Sequence, residues 1–284
     1  LTLHDVLVDA RARLVAAGIR EDETAVDVDL FACTILGWDR ARLLTDRRDP
    51  VPAGFAARLS AWIARRERHE PSAYIVGSRE FWGLDFEVTP AVLIPRPETE
   101  LVVEEALAVL ASCRGGPARV ADIGTGSGCI AVAIAHGVPA CRVIATDLSD
   151  AALAVARRNA DRHDVARRLA FVRTSYAEGL TGPFDLVTAN PPYVKDSDRP
   201  VLGRSVQHEP PEALFGGAEG LRDIRGVLDA GARTLRHGGC LVMEFGLGQE
   251  SAVHALVAER RTLQLDRVRA DLQGIPRTAI IRRS

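Results

Sequence analysis

The chain has 284 residues, 47% hydrophobic and 26% charged, a composition that excludes global disorder and suits one large domain with a small one. Its 36 basic and 38 acidic residues leave a net charge of −2, a poor match for a protein whose main partner is bare nucleic acid. No apolar run approaches the roughly 20 residues that cross a bilayer, and LTLHDVLVDARARL at the N-terminus lacks the basic start and apolar centre of a signal peptide.

Residues 1–70 read as helices. Leu3, Leu7, Ala10 and Leu14 keep helical spacing after a start signal from Thr2 and Asp5, and Gly18 stops the run. A second helix, Glu21 to Leu36, carries Val26, Leu30 and Cys33 on one face and ends at Gly37. A third spans about Pro52 to Arg68, with Phe55, Leu59, Trp62 and Ile63 inward. Its charged end, residues 65–70, reads as a solvated face, with an electrostatic partner surface as the sharper alternative. Pro71 breaks the pattern. EFWGLDFEV (80–88) alternates around Gly83 and predicts a hairpin linking two domains, and LIPRPETE (93–100) leads into a helix over 98–111.

From residue 119 strands and helices alternate. Short apolar runs stand at 119–124, 142–147, 170–174, 184–190 and 240–245, and helical stretches at 128–136, 150–161 and 219–236 separate several of them. This predicts a parallel sheet with helices on both faces. The last two candidate strands, 266–273 and 277–283, are joined only by residues 274–276, too short a link for a parallel crossover, so the last strand should run antiparallel. The five cysteines form no CxxC and the histidines show no metal-ligand spacing, so buried reduced thiols in a cytoplasmic protein, and no metal, are expected.

AspIleGlyThrGlySerGlyCys (122–129) sits after a strand and before a helix, where a close ligand needs glycines at 124, 126 and 128. Asp147 ends the next strand, where a carboxylate can accept both hydroxyls of an adenosine ribose. A dinucleotide site commonly reads GxGxxG. Here the spacing is GxGxG behind Asp122, whose carboxylate would repel a pyrophosphate but suit the ammonium of a methionine moiety. The pattern resembles the class I S-adenosylmethionine methyltransferases.

Asn190, Pro191, Pro192 and Tyr193 close the fourth strand, at the ligand edge of such a sheet. An amide nitrogen is a poor nucleophile because its lone pair is delocalised. The Asn190 side-chain oxygen and the Pro191 carbonyl can take the two hydrogens of a planar NH2, aim its lone pair out of plane and stabilise the charge that develops on nitrogen. The prolines stiffen that carbonyl, and Tyr193 can pack against the flat group.

Over nearly its whole length the chain resembles bacterial protein-(glutamine-N5) methyltransferases acting on peptide chain release factors. The resemblance rests on PSAYIVGSREFWG (71–83), VLIPRPETE (92–100), DIGTGSG (122–128), Asp147, NPPY (190–193) and HEPPEALFGGAEGL (208–221). It implies a class I α/β methyltransferase fold, a seven-stranded Rossmann-like sheet with the last strand antiparallel. It also implies a helical recognition domain over 1–75, a hairpin linker over 76–93 and a catalytic domain over 94–284. The implied reaction moves a methyl from S-adenosylmethionine, leaving S-adenosylhomocysteine, to the glutamine of a Gly-Gly-Gln loop. Expected cofactor contacts are Asp122, Gly124, Thr125, Gly126, Ser127, Gly128, Asp147, Leu148, Ser175, Tyr176 and Asn190; expected substrate contacts are Asn190, Pro191, Pro192, Tyr193 and Phe81. Ser175 departs from the family, which often has an acid there, before an aromatic near the adenine. The expected partners are class I release factors, with no nucleic acid and no membrane, and the expected state is a monomer.

Three alternatives stay open on the residues alone: a glutamine methyltransferase of a large-subunit ribosomal protein, a DNA amino-methyltransferase, and a non-catalytic module that keeps the fold. Residues 94–100 look like the release-factor branch, and the net charge speaks against DNA.

Overall fold

The computed structural model describes residues 2–113 and 116–284, which divide into two units. The helical unit holds the described residues up to Gly77 and also takes in Gly203–His208. Its elements are α1 (Leu3–Ala16), α2 (Glu21–Leu36), α3 (Arg40–Thr45), α4 (Phe55–Arg66) and α5 (Ser72–Val76). Thr2 starts α1 with a reciprocal capping box: its Oγ1 accepts the Asp5 N–H and the Asp5 carboxylate accepts the Thr2 N–H. Leu3, Leu7, Leu14, Phe55, Leu59 and Ile63 form the core, with Trp62 half-buried against it.

Two readings of this unit change. On α2 the inner face is Val28, Phe31 and Ala32, while Val26 and Leu30 are exposed and Cys33 is half-buried. Both stripes have helical spacing; the aromatic one meets Trp62 edge-on at 5.5 Å and wins the interior. The charged end of α4 is not a uniformly solvated face. Arg66 is 5% exposed, donates to Asp27 Oδ2 at 2.6 Å and to Ser205 Oγ at 3.0 Å, and lies 3.4 Å from Glu23.

The second unit, Ser78–Leu202 with Glu209–Ser284, opens on a hairpin of β1 (Ser78–Phe81) and β2 (Leu84–Glu87). Its two turn residues, Trp82 and Gly83, both have positive φ, the backbone of a tight turn matched to strand twist. Then come α6 (Glu100–Ser112), β3 (Arg119–Ile123), α7 (Cys129–Gly137), β4 (Arg142–Asp147), α8 (Asp150–Arg162), β5 (Leu169–Arg173) and β6 (Phe184–Ala189). The chain closes with α9 (Arg222–Thr234), β7 (Leu235–Glu244), α10 (Glu250–Ala258), β8 (Leu263–Ala270) and β9 (Pro276–Arg283). α3 and α10 have no counterpart among the expected helices, and β7 begins five residues before the expected strand.

Seven strands lie in the order β5-β4-β3-β6-β7-β9-β8. Pairing is parallel from β5 to β7; β9 runs antiparallel to both β7 and β8. Residues of α6 and α7 join one apolar layer with the sheet, and those of α9 and α10 join the other. This is the class I S-adenosylmethionine methyltransferase fold. The chain builds outward from β3 through β4 to β5, then returns to β6 on the other side of β3. That reversal leaves a crevice beyond the strand ends, where open α/β sheets bind ligands. Among the described residues no helix is long and apolar enough to cross a membrane. Cys129, Cys141 and Cys240 are buried and Cys33 and Cys113 half-buried, and burial pushes the Cys129 thiol up to about 12.

Candidate active site

Strand register brings the two motifs together. Ile123 of β3 pairs with Ala189 of β6, so Gly124 and Asn190 leave neighbouring strand ends side by side. Gly124, Gly126 and Gly128 have φ of 69°, 55° and 82°, the left-handed region that favours glycine. A β-carbon on Gly128 would stand 3.0 Å from that of Ala156, so glycine also lets α7 approach α8.

At the end of β4, Asp147 accepts the Gly126 N–H and the Ser149 N–H, each at 2.9 Å, one per carboxylate oxygen. These bonds fix the carboxylate, and each oxygen keeps a lone pair for a diol. Gly124, Thr125, Gly126, Ser127, Asp147 and Leu148 line one cavity. Tyr176, Asn190, Pro191 and Pro192 complete the expected residues on its wall.

Three expected cofactor residues are not on that wall. Asp122 is 1% exposed and turns inward: its oxygens accept the Thr125 hydroxyl at 2.6 Å and the Thr188 hydroxyl at 2.7 Å. Burial raises its pKa to about 6 against these two bonds, and the charge of Asp147 adds to the rise. It therefore braces β3, the glycine loop and β6 rather than presenting a free carboxylate to the cavity. Gly128 caps α7 behind the loop. Ser175 gives way to its neighbours Thr174 and Tyr176, which do line the cavity. The Tyr176 hydroxyl donates to Asp223 Oδ1 at 3.0 Å. Desolvation and that carboxylate push the phenol up to about 12, so it stays protonated.

Asn190 donates from Nδ2 to Thr99 Oγ1 at 2.9 Å. Among the described residues, neither its Oδ1 nor the Pro191 carbonyl accepts a hydrogen bond. The Pro192 carbonyl likewise accepts none among the described residues, whereas Gln249 donates to the carbonyl of Tyr193 at 3.0 Å, and Gly216 N–H to that of Val194 at 2.9 Å. β-Carbons on Gly216 and Gly220 would meet the Pro192 and Tyr193 carbonyls at 2.4 and 2.2 Å, so these glycines let the 209–221 segment lie against the motif.

Two expected substrate contacts shift. Tyr193 is absent from the main cavity and lines a smaller recess beside it, which shares Leu93, Arg96, Asn190, Pro191 and Ala213. Its hydroxyl donates to the buried Glu244 at 3.0 Å, and desolvation with that carboxylate holds the phenol far above its ordinary range. Phe81 does not reach the site: it is 1% exposed and packs edge-on against Phe86 at 6.1 Å.

Thr99, Glu209, Asp223 and Glu244 join the site without being among its expected residues. Glu209, 3% exposed, accepts the Ile94 N–H at 3.0 Å and pairs with Arg96 of the cavity wall. Its signal was an acid in front of two prolines, paired with an arginine between two prolines. For Glu244 the signal was a lone acid near the end of an apolar strand.

The chain matches the family model described as PrmC N-terminal domain over residues 5–77 and that described as methyltransferase small domain over 103–218. It is 41% identical to the release factor glutamine methyltransferase of Nitratidesulfovibrio vulgaris, covering 100% of this chain and 96% of the relative. It is 39% identical to the protein of that name from Bradyrhizobium diazoefficiens, covering 97% and 95%. Among solved structures, the hMettl16 catalytic domain bound to MAT2A 3′UTR hairpin 6 aligns with a TM-score of 0.56 at 15% identity, covering 81% of each chain, a likeness of fold alone.

Proposed function

This chain belongs to the release factor glutamine methyltransferase family, and from that membership we propose a residue-level account of its reaction: methylation, from S-adenosylmethionine, of the side-chain amide nitrogen of the Gly-Gly-Gln glutamine in a class I release factor. The observation that carries it is the pair of unpartnered acceptors, Asn190 Oδ1 and the Pro191 carbonyl, in a cavity wall shared with the glycine loop.

The residues present fit the methyl donor. Asp147 offers two fixed oxygens to a ribose, and the left-handed glycines allow close approach of the backbone. Tyr176 with Val227 offers a flat apolar wall for an adenine. S-adenosylmethionine supplies a methyl on a sulfonium whose sulfur takes back the carbon–sulfur electron pair. Asn190 and Pro191 each accept one amide hydrogen and so hold the amide plane with the nitrogen lone pair, which stands perpendicular to it, facing the methyl donor. Both bonds strengthen as the nitrogen gains positive charge, which favours the transition state over the bound amide. The nitrogen, made acidic by the transfer, then releases one proton to solvent. The recess lined by Tyr193, Leu93 and Arg96 receives the glutamine side chain.

The helical unit recognises the intact factor, because an amide alone offers little binding surface and remote contacts must position it. In this reading the chain acts in the cytoplasm as a monomer, and its net charge of −2 speaks against a bare nucleic-acid partner. Tandem mass spectrometry of a release factor and of ribosomal proteins, each incubated with enzyme and S-adenosylmethionine, tests the assignment. One added methyl on the Gly-Gly-Gln glutamine is expected. Methyl on a ribosomal protein and none on the factor would overturn it.

A further inference from the structure

The Asn190 amide is nearly symmetric in shape, yet only one orientation can work. With Oδ1 toward the recess it accepts from the substrate amide. With Nδ2 there, two NH2 groups face each other. Something must choose between them.

We infer that Glu244 and Thr99 are positioning residues for the transfer: Glu244, acting through the Thr99 hydroxyl, fixes which end of the Asn190 amide faces the substrate. This rests on the functional reading above. A threonine hydroxyl has one proton and two lone pairs. Thr99 Oγ1 gives its proton to Glu244 Oε2 at 2.7 Å. Thr99 can then offer Asn190 only lone pairs, so Asn190 must present its NH2, which it does at 2.9 Å. Oδ1 is left for the substrate. The other Glu244 oxygen accepts the Tyr193 hydroxyl at 3.0 Å, so one carboxylate sets the polarity of two residues of the NPPY motif.

The surroundings of Glu244 support a directing role. It is 1% exposed at the end of an apolar strand, and both hydrogen-bond partners are hydroxyls. Burying a carboxylate without an ion pair is unfavourable, and an apolar side chain would be easier to accommodate there. A carboxylate accepts one hydroxyl on each oxygen, whereas an amide in its place would present an NH2 donor at one of the two positions. Thr99 closes the turn before α6, Glu244 ends β7 and Asn190 follows β6, so the relay joins three separate segments.

Three variants test this: Thr99→Val, which keeps the shape and removes the hydroxyl; Thr99→Ser, which keeps the hydroxyl; and Glu244→Gln, which turns one acceptor into a donor. We expect Thr99→Val and Glu244→Gln to lower kcat on a release factor by about tenfold or more. Affinity for S-adenosylmethionine should stay within about twofold, and Thr99→Ser should recover kcat to within about threefold of wild type. A merely structural link would lower Tm and cofactor affinity together and spare kcat. Wild-type kcat in Thr99→Val, or equal loss in Thr99→Ser, overturns the inference. If a variant fails to fold, the wild-type protein still decides: nuclear Overhauser contacts between the Asn190 NH2 and the Thr99 methyl are expected, and their absence overturns it. If the wild type methylates no release factor, the functional reading falls as well; if it does and Thr99→Val matches it, only this inference falls.

Discussion

Gly226 on α9 lies so close to Tyr176 that a β-carbon on it would stand 2.2 Å from the ring Cζ. The helix backbone is thus the rear support of the ring that walls the cavity, and Val227 and Asp223 of the same helix line that cavity. Gly226→Ala must push the ring or the helix aside. Overpacking of this kind typically amounts to about 1–3 kcal/mol. S-adenosylmethionine affinity, by calorimetry, should fall by roughly tenfold or more; unchanged affinity would remove Tyr176 from the binding wall.

Asn190→Ala removes one of two acceptors while leaving the glycine loop and Asp147 in place. Single-turnover methyl transfer should fall by about 10²–10³-fold, the usual loss for one oriented polar contact in a transition state. Cofactor affinity should fall far less than turnover, because the glycine loop and Asp147 still hold the donor. A turnover rate near wild type would show that the amide is oriented by other groups.

Asp122 gives the fold a pH dependence of unusual sign. Its folded pKa is about 6, raised by burial from 3.8. Between those values the folded protein holds the proton more tightly than the unfolded chain. Stability is therefore greatest below pH 4 as far as this group is concerned, and it declines as pH rises to about 6 and beyond. The decline is roughly 3 kcal/mol for such a shift. Asp122→Asn should remove that slope, so its stability relative to wild type rises between pH 4 and 7 in urea unfolding. Parallel curves for the two proteins would refute the buried-carboxylate account.

Asp27→Ala strands the Arg66 guanidinium inside the helical unit. Breaking one side of a buried pair typically destabilises by about 3–5 kcal/mol. Glu23 at 3.4 Å is the nearest remaining carboxylate. A loss below about 1 kcal/mol in denaturant unfolding would mean that Glu23 and solvent take over the charge.

The legible parts of the molecule were those with local punctuation. Glycines at 124, 126 and 128 and prolines at 191 and 192 mark strand ends wherever they occur, so both walls of the cavity stood in the sequence. Asp122 misled because its partner Thr188 lies 66 residues away, and only strand pairing shows that the carboxylate turns inward. Glu244 stayed silent for the same reason: Thr99 is 145 residues distant. On α2, two apolar stripes compete, and periodicity alone cannot tell which one meets Trp62. Phe81 stands in a motif that suggests a substrate contact, whereas the hairpin turns it into the core.

The pairing of Ile123 with Ala189 bears on how such an enzyme can change over time. The donor half and the acceptor half of the site are aligned by backbone hydrogen bonds between two interior strands, with the Asp122–Thr188 side-chain bond across the same pair. Substitutions in the surrounding loops can therefore retune which polypeptide is admitted without disturbing the chemistry. A single residue inserted into β6 would do the opposite: it would advance Asn190 by about 3.3 Å and turn it to the other face of the sheet. Insertions and deletions should accordingly be tolerated in the 196–202 connection and be lethal to activity between residues 184 and 190.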